Sequence, residues 1–513
     1  MTATVFILDF GAQYSQLIAR RTRELNVYCE IVPFDTPWGA LADRNPVAVI
    51  LSGGPESVLV ADAPKMDPAI LTSGLPILGI CYGMQLLALE TGAELVPLDH
   101  REYGPALLKV GESGSPLLRG LPASSRVWMS HGDSVVSLAE GFSTLASTAR
   151  CNVAMMGNDT RKIYGVQFHP EVVHTEHGKT ILGNFLLGIA GVRADWQMDS
   201  FADTAIAEIR ATVGGDKVIC ALSGGVDSAV AATLVARAIG EQLTCIFVDH
   251  GLLREKEAER VIEAFRDVLH LNVIRVEAQE RFLEKLAGVS DPERKRIIIG
   301  HEFIAVFEEE AAKIPGVKYL VQGTLYPDVI ESKTPGSKAG HKIKSHHNVG
   351  GLPERMQFAL IEPLRSLFKD EVREVGRVLG LPPAIVQRQP FPGPGLAVRI
   401  IGDITEDRLT IVRSADAIVT DEIDGAQLDP KPWQYFAVLT PVQSVGVMGD
   451  GRTYANLVAV RAITSEDGMT ADWARLPHAL LERISTRIVN EVRGVNRVAY
   501  DITSKPPSTV EWE

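Results

Sequence analysis

Cys81 is the centre of the first group of residues whose types and spacing could do chemistry. It lies between Gly79 and Gly83, in the G-x-nucleophile-x-G pattern that places a nucleophile at a sharp turn between a strand and a helix. The start of a helix favours the reactive thiolate form of a cysteine. Much further along the chain, His169 can accept the thiol proton and Glu171 can orient the imidazole ring. The pattern predicts a Cys-His-Glu catalytic triad.

An oxyanion hole is predicted close to this cysteine. Gly53 and Gly54 follow another apolar run, and their N–H groups, together with that of Tyr82, would suit a developing negative charge on oxygen. For one cysteine alone, a buried inert thiol would be the simpler interpretation. The joint occurrence of cysteine, histidine and glycine motifs in one segment favours the nucleophilic site. The remaining cysteines lack such surroundings and are interpreted as packing residues: Cys29, Cys151, Cys220 and Cys245.

Ser223 begins the second group, which reads S-G-G-V-D-S and lies between an apolar run and a long apolar-periodic stretch. That order predicts a strand, a glycine turn and the first turn of a helix, where backbone N–H groups bind phosphate. Asp227 could hold a magnesium ion that bridges phosphates. An ordinary strand-to-helix turn would explain only one or two of the six residues. The predicted ATP-binding residues of this loop are Ser223, Gly224, Gly225, Val226, Asp227, Ser228 and Ala229.

Asp249 follows the next predicted strand, so it should lie at the same sheet edge as the Ser223 loop and could share its nucleotide. It could equally be the N-cap of a helix. A basic stretch over residues 331–351 could close over a triphosphate as a lid, or could be an ordinary solvated loop. Its basic residues are Lys333, Lys338, His341, Lys342, Lys344, His346 and His347.

Length and composition limit the functional classes. The 513 residues exceed one hydrophobic core and favour about three domains. A net charge of −13 argues against general binding to nucleic acid or to an acidic membrane. The chain begins with a strand pattern rather than a signal peptide, and apolar runs are too short to span a bilayer. Five cysteines without a C-x-x-C pair fit a reducing compartment, so we expect a cytoplasmic protein.

The apolar runs predict an α/β fold: two doubly wound parallel-sheet domains followed by a smaller α+β C-terminal domain. A dense proline and glycine cluster after residue 388 marks a boundary, so the expected domains are residues 4–195, 196–388 and 389–513. Predicted strands are residues 5–8, 48–51, 77–80, 163–166, 218–222, 244–248, 273–276, 319–321, 437–439 and 456–462. Predicted helices include residues 84–89, 201–211, 229–239 and 479–492.

Residues 4–195 resemble the class I glutamine amidotransferases, which hydrolyse glutamine through a cysteine thioester and release ammonia. The resemblance rests on the Cys81 turn, the Phe168-His169-Pro170-Glu171 run and the Ser52-Gly53-Gly54-Pro55 run. It implies that Gln85 lies where the family binds the substrate glutamine. The S-G-G-x-D-S loop resembles the pyrophosphate loop of the ATP pyrophosphatases, which split ATP between the α and β phosphates and adenylate an oxygen.

The whole chain resembles the family of glutamine-hydrolysing GMP synthases, which convert XMP to GMP. The motifs beyond those above are D-F-G-A-Q-Y at 9–14, M-S-H-G-D at 129–133, F-P-G-P-G at 391–395 and K-P-P-S-T-V-E-W-E at 505–513. The resemblance implies ATP, XMP and glutamine as substrates, magnesium with ATP and pyrophosphate, and a homodimer formed by the third segment. It assigns pyrophosphate binding to Lys369. It assigns XMP binding to Arg296, Gln434, Lys505, Val510 and Glu511.

The C-terminal segment 505–513 could be a frayed tail. Pro506 and Pro507 stiffen it, however, and Trp512 gives it a side chain to bury, which favours an ordered role.

The sequence is also compatible with rival functions. Another adenylating amidotransferase, such as a tRNA-thiolating or NAD-forming ligase, would use similar loops, but thiolation needs a further reactive cysteine. Only Cys220 and Cys245 occur in the second segment, both within predicted strands. CTP synthase places its amidotransferase after a P-loop domain, which is the opposite order. A non-catalytic nucleotide sensor would be expected to have lost Cys81 or the Ser223 loop, and both are present.

Overall fold

The structure, a computed structural model, describes residues 3–12, 14–333, 358–448, 451–465 and 470–513. The chain folds into two compact units, Met1–Gln197 and Met198–Glu513. The three predicted functional segments, with their boundaries at 195 and 388, stay a prediction. Of the predicted basic lid, the lysines and histidines from Lys338 to His347 lie outside the described residues.

The first unit is built on a nine-stranded sheet in the order β2-β1-β3-β4-β9-β8-β7-β5-β6. The five strands from β2 to β9 are parallel, and the other four are antiparallel, so the sheet is mixed rather than wholly parallel. Its strands are β1 (Thr4–Asp9), β2 (Cys29–Pro33), β3 (Pro46–Leu51), β4 (Ile77–Ile80), β5 (Glu94–Val110), β6 (Ser124–Ser137), β7 (Ser143–Ser147), β8 (Met155–Asn158) and β9 (Ile163–Val166). Its helices are α1 (Ser15–Arg23), α2 (Trp38–Ala42), α3 (Ala69–Thr72), α4 (Tyr82–Glu90) and α5 (Gly178–Gly183), the last continued by a π-helical turn at Asn184–Ile189.

The sequence explains why the two halves of this sheet differ. Strands β4 and β9 are short apolar runs that are buried at every position, as expected where both faces of a parallel sheet are covered. Strand β6 instead alternates buried and more exposed residues, which is typical of an antiparallel strand with one solvated face. The order of the parallel strands reverses between β1 and β3, and ligands bind at such switch points.

The second unit contains a five-stranded, wholly parallel sheet in the order β12-β11-β10-β13-β14. Its strands are β10 (Lys217–Leu222), β11 (Leu243–Asp249), β12 (Val273–Glu277), β13 (Val317–Val321) and β14 (Ala359–Ile361). The accompanying helices are α6 (Met198–Val213), α7 (Val226–Ile239), α8 (Glu257–Ile262), α9 (Gln279–Leu286), α10 (Pro292–Ala312), α11 (Tyr326–Lys333), α12 (Lys369–Val378) and α13 (Pro383–Val386). Strand order reverses between β10 and β13, so the turn after β10 lies at the switch point.

A second, smaller sheet completes this unit. Its strands are β15 (Gln434–Met448), β16 (Gly451–Thr464), β17 (Asp472–Trp473) and β18 (Val495–Asp501), with helices α14 (Glu406–Gly425) and α15 (His478–Glu491). β16 pairs antiparallel with β15 and parallel with β18. One hydrophobic core runs from Ile219 and Ile246 of the parallel sheet to Leu439 and Val458 of the smaller sheet. The α/β class, the ten predicted strands and the four predicted helices are confirmed. Most ends differ by a few residues, but β15 continues nine residues beyond its predicted end at residue 439.

Within the described ranges, the helices all fall short of the length and apolar character required to cross a bilayer.

Candidate active sites

The turn at Cys81 is a strained nucleophile elbow. Cys81 has φ 51° and ψ −106°, in the left-handed half of the backbone map that non-glycine residues rarely adopt. The flanking glycines permit this turn: a Cβ on Gly79 would lie 2.5 Å from the carbonyl carbon of Gly83, and one on Gly83 would lie 2.5 Å from Leu51. The turn therefore requires both glycines and presents the sulfur at the first turn of α4.

His169 and Glu171 form the second and third members of the predicted triad. Nδ1 of His169 lies 2.7 Å from Oε1 of the fully buried Glu171. A Cβ built on Gly53 would lie 3.3 Å from Cε1 of His169 and 3.8 Å from Cβ of Cys81, so both side chains border the same point. Burial acts to lower the pKa of His169, but the Glu171 carboxylate and the Cys81 thiol outweigh it and raise this pKa to about 11.

Two groups that the sequence analysis missed also contact the Cys81 sulfur. Sγ of Cys81 donates to the carbonyl oxygen of Ser130 at 3.3 Å, and Nε2 of Gln167 lies 3.7 Å from the sulfur. Gln85 is buried nearby, where its Nε2 donates to the carbonyl of Asp133 at 2.9 Å and to Gln167 at 3.3 Å. Ser130 and Asp133 belong to the M-S-H-G-D run at 129–133, for which the sequence predicts no particular role at the site. Their contribution is through backbone oxygens, which sequence motifs do not reveal.

The predicted oxyanion hole lies beside this turn. A Cβ on Gly54 would lie 2.9 Å from the Tyr82 ring and 3.3 Å from the carbonyl of Phe10, so only glycine fits there. Tyr82 is the first residue of α4, and N–H groups of a first helical turn have no acceptor within the helix. Its N–H is therefore suited to an oxyanion. The other four cysteines are buried free thiols, in agreement with their interpretation as packing residues.

The Ser223 loop joins β10 to α7 at the switch point of the second unit. Gly224 has φ +73°, and Gly225 is the N-cap of α7, so the first N–H groups of the helix point into the turn. The hydroxyl oxygens of Ser223 and Ser228 lie 3.1 Å apart, and the Gly225 N–H donates to Ser223 Oγ at 3.3 Å. Val226 and Ala229 are buried in the helix, where they pack rather than present polar atoms. A glycine turn that leads into the N-terminus of a helix is suited to bind phosphate oxygens.

Asp227 and Lys369 lie together at this loop. Lys369, the first residue of α12, forms an ion pair with Oδ2 of Asp227. Oδ1 of Asp227 is buried and has no hydrogen-bond partner among the described residues. A free carboxylate oxygen beside a phosphate-binding turn fits a magnesium ion that takes its other ligands from phosphates and water. Within the described ranges, no cluster of three His, Cys, Asp or Glu side chains forms a protein-only metal site.

Asp249 ends β11 and is buried. Its Oδ1 accepts the Gly251 N–H at 3.2 Å, and its Oδ2 accepts from Arg275 at 2.8 Å. The alternative that Asp249 is a helix N-cap is wrong, because the next helix begins only at Glu257. The neighbouring His250 was not predicted to matter. Burial lowers its pKa to about 4, and its Nδ1 accepts the Leu252 N–H at 3.1 Å, so its ring is neutral near pH 7.

Three of the residues assigned to XMP by resemblance meet near the end of the chain. Oε1 of Glu511 accepts from Nε2 of Gln434 at 2.8 Å. The same carboxylate receives two bonds from the fully buried Arg399, at 3.1 and 3.2 Å, and that arginine was not predicted. Val510 packs on a small apolar cluster that contains Phe436. Lys505 bonds through its backbone to Ala471, and Arg296 donates to the carbonyl of Glu513.

The C-terminal segment is ordered, but for a reason different from the predicted one. Trp512 remains 38% exposed, so the expectation that it anchors the segment by burial is wrong. Arg461, which is completely buried, instead donates to the carbonyl oxygens of Thr503, Thr509 and Val510. Extended segments leave their carbonyls unpaired, and one guanidinium can satisfy several of them.

The two sites define a class I glutamine amidotransferase joined to a nucleotide-binding α/β unit. Comparison with known families agrees. The family described as "Glutamine amidotransferase class-I" matches residues 6–189, and "GMP synthase C terminal domain" matches residues 421–512. A third family, "tRNA methyl transferase HUP domain", matches residues 216–276, which include the Ser223 loop and Asp249.

Full-length relatives specify the family. The chain is 60% identical over 510 residues to the "GMP synthase [glutamine-hydrolyzing]" of Caldicellulosiruptor saccharolyticus, with 99% of both chains covered. It is 60% identical over 513 residues to the protein of the same description from Carboxydothermus hydrogenoformans, with 100% of both chains covered. A third such relative, from Symbiobacterium thermophilum, is 59% identical over 509 residues and 99% of each chain. The chain belongs to the family of glutamine-hydrolysing GMP synthases.

Proposed function

We propose that this chain is a C–N ligase that makes GMP from XMP, with ATP as the energy source and glutamine as the nitrogen donor. One observation carries the proposal: a Cys-His-Glu constellation in the first unit and a phosphate-binding turn in the second occur on one chain. The first releases ammonia from glutamine. The second transfers AMP from ATP to XMP, releases pyrophosphate, and lets ammonia displace AMP to give GMP.

In the glutaminase reaction, the thiolate of Cys81 attacks the side-chain amide carbon of glutamine. The Gly54 and Tyr82 N–H groups stabilise the oxyanion, and the protonated His169 gives its proton to the leaving ammonia. A thioester remains. Water then attacks it, with His169 as the general base, and glutamate leaves. Glu171 keeps the imidazole in the required orientation and stabilises its positive charge. Gly53 has no side chain to block the approach of the substrate, and Gln85 would lie beside the bound glutamine.

The Ser223 loop binds the β and γ phosphates of ATP through backbone N–H groups, Ser223 and Ser228, while Lys369 neutralises the pyrophosphate. Asp227 would hold magnesium, which, when bound, screens the phosphate charges and makes pyrophosphate a better leaving group. Asp249 fixes the loop that follows β11 at the same edge of the sheet. The 2-oxygen of XMP attacks the α phosphorus, and pyrophosphate leaves. Ammonia then attacks C2 of the adenylated XMP, and AMP leaves with the former 2-oxygen to give GMP.

XMP is recognised by charged groups from the C-terminal segment and from α10. Lys505 and Arg296 neutralise its phosphate, while Gln434 and Glu511 form hydrogen bonds with the purine ring and Val510 packs beside it. Glu511 is suited to this because Arg399 and Gln434 already hold it in one orientation. A carboxylate so fixed loses little further conformational entropy when it binds a purine N–H.

The smaller sheet of the second unit supports a homodimer. On the paired strands β15 and β16, Val445, Val447 and Tyr454 are exposed by 56%, 75% and 67%, and Val445 lies directly opposite Tyr454. Exposed apolar side chains clustered on one pair of strands favour contact with a second copy of the chain. Five free cysteines suit a reducing cytoplasm.

The test is a direct assay. The chain is incubated with XMP, ATP, Mg²⁺ and either glutamine or ammonium, and GMP, AMP, pyrophosphate and glutamate are quantified. We expect GMP, AMP and pyrophosphate in equal amounts with either nitrogen source, and glutamate only with glutamine. Replacement of XMP by UTP or by a tRNA substrate should yield no product. Turnover of either of these, without XMP amination, would replace the proposal by one of the rival ligases.

A further inference from the structure

We propose that Arg388, held by Glu257, is a positioning residue that fixes the direction of the peptide between Gly224 and Gly225 in the phosphate-binding turn. The inference rests on the proposed function, in which this turn binds the triphosphate of ATP. Nη1 of Arg388 donates to the carbonyl oxygen of Gly224 at 2.7 Å. Nη2 of the same guanidinium forms an ion pair with Oε1 of Glu257. The guanidinium thus connects the turn to a carboxylate outside it.

The bond from Arg388 to the Gly224 carbonyl determines the direction of the Gly225 N–H. A peptide unit is planar and trans, so its C=O and N–H point in opposite directions. With the Gly224 carbonyl held by Arg388, the Gly225 N–H points to the other side, where Ser223 Oγ accepts it at 3.3 Å. Ser228 Oγ lies on that side as well, 3.1 Å from Ser223 Oγ. This is the concave side on which phosphate oxygens would lie.

The turn cannot fix that direction by itself. The peptide can rotate through the torsions of its two flanking residues, and both are glycines, whose backbone is permissive. Gly224 already has φ +73°. If the peptide rotated by half a turn, a carbonyl oxygen would face the phosphates and repel them. Arg388 therefore supplies the orientation that two glycines leave open.

Arg388 is itself constrained from two directions. Glu257 is the first residue of α8 and its side chain is only 5% exposed. Its second oxygen, Oε2, accepts the Arg254 N–H at 2.9 Å, so the carboxylate has a fixed position. The carbonyl oxygen of Arg388 accepts from Arg373 Nη2 at 3.2 Å. The same helix α8 also contacts the turn, because a Cβ on Gly224 would lie 2.8 Å from Val261.

A direct phosphate contact by Arg388 would also weaken ATP binding when removed, so Glu257 provides the decisive variant. A carboxylate near a triphosphate repels it, and Glu257→Gln removes this repulsion. If Arg388 binds phosphate directly, Glu257→Gln should leave ATP binding unchanged or improve it. If Arg388 acts by holding the Gly224 carbonyl, Glu257→Gln should weaken ATP binding, because the guanidinium loses its anchor.

The experiment measures pyrophosphate release by the full chain with XMP, ATP, Mg²⁺ and saturating ammonium. Arg388→Ala, Arg388→Lys and Glu257→Gln are compared with a matched control, Arg377→Ala. Among the described residues, the exposed guanidinium of Arg377 forms an ion pair with Glu374, one turn away on α12. Loss of a charge-assisted bond predicts that KM for ATP rises about ten- to a hundredfold in Arg388→Ala. We expect a smaller rise of the same sign in Glu257→Gln and Arg388→Lys. KM for XMP and the glutaminase rate should match those of the control.

Several outcomes would overturn the inference. One is an unchanged or lower KM for ATP in Glu257→Gln, which would indicate direct contact with phosphate. Another is an Arg388→Ala enzyme with the kinetics of Arg377→Ala. If thermal denaturation shows that Arg388→Ala is unfolded, the KM for ATP of Glu257→Gln and Arg388→Lys tests the inference instead. Asp227→Asn distinguishes a failure of the proposed role of the turn from a failure of the role of Arg388. If this variant also releases pyrophosphate normally, the proposed role of the turn is wrong. If it is inactive while Arg388→Ala is normal, only the role of Arg388 is wrong.

Discussion

Glu171→Gln is the sharpest test of the glutaminase site, because it removes one charge and changes little volume. The Glu171 carboxylate is fully buried and lies 2.7 Å from His169 Nδ1. Its second oxygen, Oε2, has no hydrogen-bond partner among the described residues, so its charge acts mainly on the imidazole. A glutamine could also donate its N–H₂ to Nδ1 and so impose the wrong tautomer.

The size of the effect follows from the pKa of His169. Its rise from the usual 6.5 to about 11 corresponds to about 6 kcal/mol of stabilisation of the imidazolium. Both the Glu171 carboxylate and the Cys81 thiol contribute to it. A charge-assisted hydrogen bond contributes up to about 3 kcal/mol, so loss of the Glu171 carboxylate alone corresponds to a factor of roughly 100 in rate. The wrong tautomer can extend the loss to about 10⁴-fold, as in other triads.

The assay measures glutamate release in the presence of XMP, ATP and Mg²⁺, with ammonium-dependent GMP formation measured in parallel. Glutamate release should fall by a factor of 10² to 10⁴, and ammonium-dependent synthesis should be unchanged. NMR titration should show the His169 ring protonated through neutral pH in the native chain and deprotonating at a much lower pH in the variant. Glu176→Gln is the control, because Glu176 lies close in sequence but is exposed and pairs with Arg126. A glutaminase rate within threefold of the native one, with an unchanged His169 titration, would refute the assignment.

Three further predictions concern other parts of the molecule. Cys81→Ala should abolish glutamine-dependent synthesis and preserve ammonium-dependent synthesis, since the thiolate acts only on glutamine; failure with both nitrogen sources in GMP assays would contradict two separable sites. Lys505→Ala should raise KM for XMP about tenfold or more and leave KM for ATP nearly unchanged, because one charge-assisted bond to phosphate is lost; equal effects on both substrates would reduce the segment to a structural element. The pKa of His250 is about 4 in the folded chain and near 6.5 in the unfolded chain. The free energy of unfolding should therefore keep its full His250 contribution above pH 6.5 and fall by up to about 3 kcal/mol as the pH is lowered to 4. Urea unfolding at several pH values should show that His250→Gln lacks this part of the pH dependence, and an identical dependence in both proteins would exclude it.

The sequence predicts those features of the fold that depend on local pattern. Short apolar runs located all ten predicted strands, because strands that are buried on both faces are rich in apolar residues. The same patterns did not reveal that the first sheet is half antiparallel. Strand direction depends on which strands pair, and the long hairpin of β5 and β6 is joined by residues 111–123, without a two-residue turn signal.

For the sites, the sequence predicts residues that act through a distinctive side chain or a required glycine. Cys81, Gly79 and Gly83 are such positions, since a Cβ at either glycine would collide with backbone. Contacts made by backbone atoms carry no such signal. Because every residue has a backbone carbonyl, the sequence does not identify Ser130 as the residue whose carbonyl accepts from the Cys81 thiol.

Three arginines with structural roles could not be predicted from the sequence either. Arg388, Arg399 and Arg461 are separated from the partners that define these roles by 164, 112 and up to 49 residues. Nothing in their local sequence distinguishes them from the other lysines and arginines of this acidic chain. Each is identified only by what it bonds: a turn carbonyl, a carboxylate near the end of the chain, or a row of unpaired carbonyls. Burial of a guanidinium is unfavourable unless its N–H groups are satisfied. An arginine whose N–H groups are used in this way therefore marks a place where irregular backbone or a polar side chain keeps one position. Arg388, whose side chain is 21% exposed, marks the phosphate-binding turn, and the fully buried Arg399 and Arg461 mark the C-terminal segment. Both are segments where substrates are proposed to bind.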